Sequence, residues 1–172
     1  MKVELIDKMG NDLSVVNAAR VSYAKVKDDF DTSDEKLIKY LAEHKHWSPF
    51  AHTFLSFRIK APVFVARQLV KHQVGLVWNE ESRRYISDDP ELYSLTQWRE
   101  KPKSSKQGSG ESMTIDNELQ NQITFHQQYS LNLYHKLLDS NVAPEQARAV
   151  LPQSMFTNWI WSGTLFAFAR VC

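Results

Sequence analysis

The stretch TFLSFRIKAPVFVARQLVKHQVGLVWNEESRRY, Thr53 to Tyr85, decides the fold class, because its hydrophobic period changes along its length. From Thr53 to Lys60 apolar and polar residues alternate. Leu55, Phe57 and Ile59 fall on one side and Ser56, Arg58 and Lys60 on the other, the period of a strand with one buried and one wet face. Pro62 then stands where a helix accepts its first residue, since its ring presets φ and the missing N–H has no intrahelical partner there. The spacing predicts a helix through VFVARQLVKHQ. At about 100° per residue, Arg67, Gln68, Lys71, His72 and Gly75 share one arc, while Val63, Val65, Ala66, Leu69 and Val70 cover the opposite one. Gln73 falls inside the apolar arc, so either the helix has loosened by then or the amide faces a partner.

Outward from this stretch the signals are mostly helical. Asn11-Asp12-Leu13-Ser14 supplies cap residues before VVNAARVSYA, where Val15, Val16, Ala18 and Ala19 suit a short helix. Thr32 or Ser33 with Glu35 forms a capping-box pattern ahead of Leu37, Ile38 and Leu41, and Ser48-Pro49 closes that unit. Lys101 to Ser112 has the composition of a flexible loop. Asp116 to Leu138 repeats apolar residues at helical spacing, and Ala143-Pro144-Glu145 opens a further helix with Arg148 a turn inside. The closing MFTNWIWSGTLFAFARVC is apolar and aromatic and stops without a cap or polar tail, where a domain seldom ends. Helices beside an alternating strand, with no internal repeat, read as one α+β domain over residues 1–172.

With 42% hydrophobic residues the chain is not a disordered one, and 21 basic against 20 acidic side chains leave a net charge of +1. No global field draws nucleic acid or membrane, so any anion site is local. The one cysteine, Cys172, excludes an internal disulfide framework and a paired-cysteine metal site, and at the last position it is a poor candidate for a thiolate nucleophile. A start without an apolar signal region, and no long uncharged apolar run, predict a soluble cytoplasmic protein with no membrane partner.

The polar residues from Lys71 to Tyr85 admit two readings, a solvated face or a binding site. His, Arg, Asn and Gln dominate over Lys there, and Trp78 and Tyr85 add flat surfaces, which favours directional recognition. Ser82, Arg83 and Arg84 suit a phosphate through forked donors and a hydroxyl, against the plainer reading of a surface pair. No glycine-rich phosphate loop is present. His44, His46 and His52 have metal-like spacing without an acidic or cysteine ligand in register, so stacking on or donating to a ligand suits His46 better and no metal is expected. Arg148 is a lone cation in QARAVLP, a pattern of paired or functional residues. Trp159, Trp161, Phe166 and Phe168 read as core or subunit interface.

Taken together, GNDLSVVNAARVSYA, HKHWSPFAH, FRIKAPVFVARQLVKHQ, NEESRRY and ARAVLPQSMFTNWIW resemble, in order and over almost the whole chain, the flavin-dependent thymidylate synthases, the ThyX family. The resemblance implies a ThyX-like α+β fold, an antiparallel sheet with packed helices. It implies reductive methylation of dUMP to dTMP with methylenetetrahydrofolate as carbon donor, FAD as hydride carrier and NADPH as reductant, without attack by a cysteine. It also implies a homotetramer whose sites draw on several subunits. Carried over by position, Lys71, His72 and Gln73 take the family's flavin-reaching block, and Ser22 and Ser48 the FAD phosphate or ribose positions. Asn79 and Glu80 take flavin and nucleotide contacts. Gln68, Ser82, Arg83, Arg84 and Arg148 take the nucleotide side, with Ser82, Arg84 and Arg148 at the reacting end. His46 takes a place near the folate. Two departures stand out. The block is KHQ instead of RHR, which removes about one unit of positive charge and Arg's planar forks. The spacing from Gln73 to Ser82 is one residue longer than usual. The family also continues beyond the point matched by Cys172, so the expectation is a truncated member of reduced activity. The alternative is a non-catalytic nucleotide- or RNA-binding module using the surface from Trp78 to Tyr85.

Overall fold

The strand announced by Leu55, Phe57 and Ile59 forms as β2, Phe54–Pro62, in a computed structural model that describes every residue except Ser87, Ser105 and Cys172. What the sequence says of Cys172 therefore lies outside the described residues. Among these, four strands make one sheet in the order β1 (Lys2–Met9), β2, β6 (Phe156–Thr164), β3 (Leu76–Glu80). β1 pairs antiparallel with β2, Val3 facing Ile59 and Leu5 facing Phe57, and β3 pairs antiparallel with β6. A hydroxyl contact of 2.8 Å between Ser56 and Ser162 links β2 to β6. The α+β architecture is the expected one.

The chain divides into two compact units. The first comprises Met1–Ala61, Val65–Glu81 and Thr157–Cys172, the second Pro62–Phe64 and Ser82–Phe156. In the first, α1 (Asp12–Arg20) starts at the predicted cap: Asn11 Oδ1 accepts from the Ser14 amide at 3.1 Å, and Ser14 Oγ accepts from the Asn11 amide at 3.1 Å. α2 (Thr32–Glu43) is capped one residue earlier than the pattern of Thr32 or Ser33 with Glu35 suggested. Asp31 accepts from the amides of Ser33 and Asp34, and Asp34 returns the bond to Asp31. A carboxylate satisfies the helix start and complements its dipole better than a hydroxyl does, and Glu35 is left to pair with Lys39 at 2.8 Å.

Asp34, with a side chain 0% exposed, meets Arg20 at 2.6 Å and Lys27 at 2.5 Å. Lys27, first among the causes, holds the Asp34 carboxyl below the ordinary carboxylate range, as Lys27 and Ser33 do for Asp31. A depressed folded-state pKa contributes stability that is complete above the unfolded value and is lost as pH falls toward the folded one. The melting temperature should therefore drop as pH is lowered from about 4, the ordinary carboxylate pKa. Thermal melts of Asp34→Asn should show a shallower drop than the parent over the same range, and equal slopes would remove Asp34 as its source.

The core of the first unit lies where β2 and β6 meet α3 (Val63–Leu69), around Ile59, Ala61, Ala66, Trp159 and Trp161. Trp159 is 2% exposed and stacks on Trp78 of β3, rings 4.4 Å apart and 19° from parallel. Phe168 meets Trp161 edge-on at 5.2 Å and Phe57 at 5.1 Å. Trp159 and Trp161 are thus core, the first of the two readings open to them. α6 (Leu165–Ala169) follows β6 directly, capped by Thr164 Oγ1, which accepts from the Ala167 amide at 3.1 Å.

In the second unit α4 (Asn117–Asp139) begins under the cap of Asp116, which accepts from the Leu119 amide at 2.7 Å. Strands β4 (Trp98–Arg99) and β5 (Ser112–Met113) close the Lys101 to Ser112 segment as a hairpin. Gln127 of α4 donates to Tyr93 O at 3.1 Å and Ser154 Oγ at 3.0 Å, fixing the returning chain on the helix. α5 (Pro144–Ala147) is short, and Arg148 opens a 3-10 turn to Val150, so Arg148 ends the helix instead of lying within it.

Gly163 pairs with Leu76, and a Cβ at Gly163 would fall inside contact distance of the Gly75 carbonyl and the Leu76 side chain. Backbone cannot step aside as a side-chain tip can. Gly163→Ala should lower the melting temperature by separating β3 from β6; circular-dichroism melts within error of the parent would contradict this close approach.

Candidate active site

The helix predicted through Gln73 ends at Leu69, and this shortening creates the site's centre. The His72 amide bonds back to Leu69 O at 3.0 Å, a tighter reach than the helical one, and the Leu76 amide reaches Gln73 O at 3.2 Å. Gly75 adopts φ +78, so the chain reverses in time for Leu76 to meet Gly163. Lys71, His72 and Gln73 consequently sit on an exposed turn and not on a helical stripe. With Val74, Leu76, Ala167 and Arg170 they line a cavity of about 180 Å3. An ammonium, an imidazole, an amide and a guanidinium converge there over an apolar floor, with no carboxylate in the lining. That donor set suits a planar, carbonyl-rich or anionic group, so the residues fit the edge of a flavin, though the volume admits only part of one.

A second cavity of about 450 Å3 opens on the same unit, walled by Leu41, Ala42, Trp47, Phe50, Leu165, Phe166 and Ala169 and edged by Lys45, His46 and Arg170. It exists because α2 ends sharply: Lys45 takes φ +58 and the His46 amide returns to Leu41 O at 2.8 Å. Trp47 and Phe166 rings lie 5.4 Å apart, and the Arg170 guanidinium lies 5.9 Å from the Phe166 ring centre. Arg170 belongs to both cavities. Sequence reasoning passed over it, although a lone cation in LFAFAR carries the same signal that singled out Arg148. Lys45 was passed over as well. His44 turns away, stacking on Tyr40 at 4.0 Å with Nδ1 2.9 Å from Tyr40 O. Among the described residues no group of three His, Cys, Asp or Glu could hold a metal.

The remaining expected residues divide between the units. In the first, Ser22 is exposed on the 3-10 turn Val21–Tyr23, and Ser48 is exposed at the start of the turn Ser48–His52. Gln68 is exposed on α3, and Asn79 pairs with Ile160 in the sheet. Glu80 accepts from Thr157 Oγ1 at 2.7 Å and from Trp78 Nε1 at 3.1 Å, while Glu81 accepts from Asn158 Nδ2 at 2.7 Å. In the second unit Arg84 Nε donates to Ser82 Oγ at 3.1 Å and its guanidinium carbon lies 5.0 Å from the Tyr85 ring centre. Arg83 differs from its neighbour: it is buried, and Nη1 donates to the Asp88 carbonyl. Arg148 is exposed, with Nε donating to Glu145 O at 3.2 Å. Ser82 with Arg84 is therefore a preformed hydroxyl–guanidinium pair, whereas Arg83 ties a loop.

Comparison with known proteins covers the stretch of chain that carries these residues. The family model described as thymidylate synthase complementing protein matches residues 4–172. A flavin-dependent thymidylate synthase of Kosmotoga olearia is 41% identical over 93% of this chain and 70% of its own length. One from Thermus thermophilus is 40% identical over 95% of this chain and 59% of its own, so the chain spans well under the full length of such relatives. Among solved structures, a UMP/dUMP methylase, PolB from Streptomyces cacaoi bound with 5-Br dUMP, superposes with a TM-score of 0.84 at 33% identity, covering 99% of this chain and 76% of that one.

Proposed function

This chain belongs to the thymidylate synthase complementing protein family, and we propose from that premise that it is a flavin-dependent thymidylate synthase methylating dUMP to dTMP. FAD, NADPH as reductant and methylenetetrahydrofolate as carbon donor complete the reading, with a homotetramer in the cytoplasm as the working form. The observation that carries it is the Lys71–Gln73 turn. The residues that the resemblance sets at the family's flavin block line one cavity, and Arg170 beside them would supply the cation that the KHQ spelling lacks.

Bound FAD would supply hydride chemistry; the chain's own residues bind, orient and exclude water. Lys71, His72, Gln73 and Arg170 would offer donors to the flavin's carbonyl edge, with Ser22, Ser48 and Asn79 as further polar contacts. In the second unit Arg84 would meet the dUMP phosphate through its fork, oriented by Ser82 and joined by Arg148. Arg83, buried against Asp88 O, would support this loop from beneath. The larger cavity, apolar with Lys45, His46 and Arg170 at its edge, suits a flat heteroaromatic bearing carboxylates, which is the chemistry of a folate.

Titrating the protein with FAD and then dUMP, followed by flavin absorbance and fluorescence, tests this reading. Binding of both supports it. A protein that takes up no FAD but binds single-stranded RNA in a salt-sensitive way would overturn it in favour of a binding module. Arg84→Ala should weaken dUMP binding by about 1.5–3 kcal/mol, the loss of a charged hydrogen bond. Arg170→Gln should weaken FAD binding by about tenfold with the melting temperature unchanged, and an unaltered FAD affinity would remove Arg170 from the flavin site.

A further inference from the structure

Glu80 is held more firmly than a surface carboxylate at the end of a strand needs to be. Trp78 and Glu80 are two residues apart on β3 and so project from the same face, opposite Trp161 and Trp159 of β6. The Trp78 ring cannot swing, because it stacks on the buried Trp159 and meets Trp161 edge-on at 5.6 Å. Its indole N–H donates to one Glu80 oxygen at 3.1 Å. Thr157, itself 2% exposed, donates its hydroxyl to the other at 2.7 Å. Each carboxylate oxygen thus takes one donor from a side chain immobilised by the core, and each keeps a free lone pair on the exposed side. Such a carboxylate is set to accept from a ligand in one orientation. Among the described residues, the donors that meet it are the Thr157 hydroxyl and the Trp78 indole.

We infer that Thr157 and Trp78 are positioning residues that orient the Glu80 carboxylate as acceptor for an N–H or O–H donor of a bound ligand. An imide N–H or a ribose hydroxyl is the matching chemistry, and both dUMP and FAD carry such groups. The inference rests on the functional reading above and on the resemblance that assigns Glu80 a flavin and nucleotide contact. Thr157 and Trp78 act through Glu80 and touch no ligand themselves.

Full-length protein and the variants Glu80→Gln, Thr157→Val, Thr157→Ser, Trp78→Phe and Glu80→Gln/Thr157→Val are titrated with FAD and, once loaded, with dUMP, and each is melted. Thr157→Val and Trp78→Phe should each weaken the ligand that Glu80→Gln weakens, by about five- to tenfold, the scale of one lost hydrogen bond. Whichever titration responds, FAD or dUMP, identifies the donor's source. Thr157→Ser keeps the hydroxyl and should restore affinity, and the double variant should bind no worse than Glu80→Gln alone, because Thr157 acts only through that carboxylate. If Glu80→Gln weakens a ligand while Thr157→Val weakens neither, the inference falls and the functional reading stands. The same holds if Thr157→Ser behaves like Thr157→Val, since packing alone would then explain the loss. If Glu80→Gln alters neither affinity, the placement of Glu80 against a ligand falls and the inference with it.

Discussion

The pairing of β3 with β6 is the constraint from which the first unit's functional geometry follows. Five residue pairs, from Leu76 with Gly163 to Glu80 with Trp159, bring Trp78 onto Trp159 and leave no room for a side chain at Gly163. Stacked aromatic pairs add roughly 0.5–1.5 kcal/mol beyond the area they bury, so the register with the tryptophans in contact is strongly preferred over a slipped one. Once that register is set, the chain between Leu69 and Leu76 must turn back within a few residues. That requirement ends α3 early, places Gly75 in the left-handed region, and displays Lys71, His72 and Gln73 beside Ala167 and Arg170 of the segment that follows β6.

Charge is distributed locally in a chain that is nearly neutral overall. The acidic hub at Asp34 is consumed internally by Arg20 and Lys27 and shapes the chain on either side of the turn bearing Ser22. Lys45, Lys71 and Arg170, exposed at the cavities, line them beside apolar side chains with no acid in the lining, an arrangement with little value for stability that leaves their donors open to a ligand. The arginine forks of the second unit follow the same logic on a smaller scale. Arg84 is held ready by Ser82, while adjacent Arg83 is spent on the Asp88 carbonyl.

Much of the fold was legible in one dimension because its cues are local. A capping residue acts within one turn, so Asn11 marked α1 well, while apolar spacing marked the helix from Asp116 on and the alternation of Leu55, Phe57 and Ile59 marked β2. The α2 cap was misplaced by one residue because Asp31, Thr32 and Ser33 are all competent and only the geometry of Asp34 selects among them. β6 went unannounced for a different reason: a strand with nearly every residue at least partly covered reads as a continuous apolar run, which periodicity alone cannot assign.

By itself the sequence determined the α+β class, the cap of α1, the absence of a global charge field and, through its ordered blocks, the family. The order of side chains along the chain carries those directly. Only the tertiary structure decided that the KHQ block lies on a turn, that Arg170 stands beside it, that Arg83 and Arg84 part ways, and that Thr157 and Trp78 grip Glu80. The place of Arg170 beside the turn and the bond from Thr157 to Glu80 join residues far apart in sequence, and the parting of Arg83 from Arg84 depends on which local acceptor each guanidinium reaches; no hydrophobic period records any of these partners.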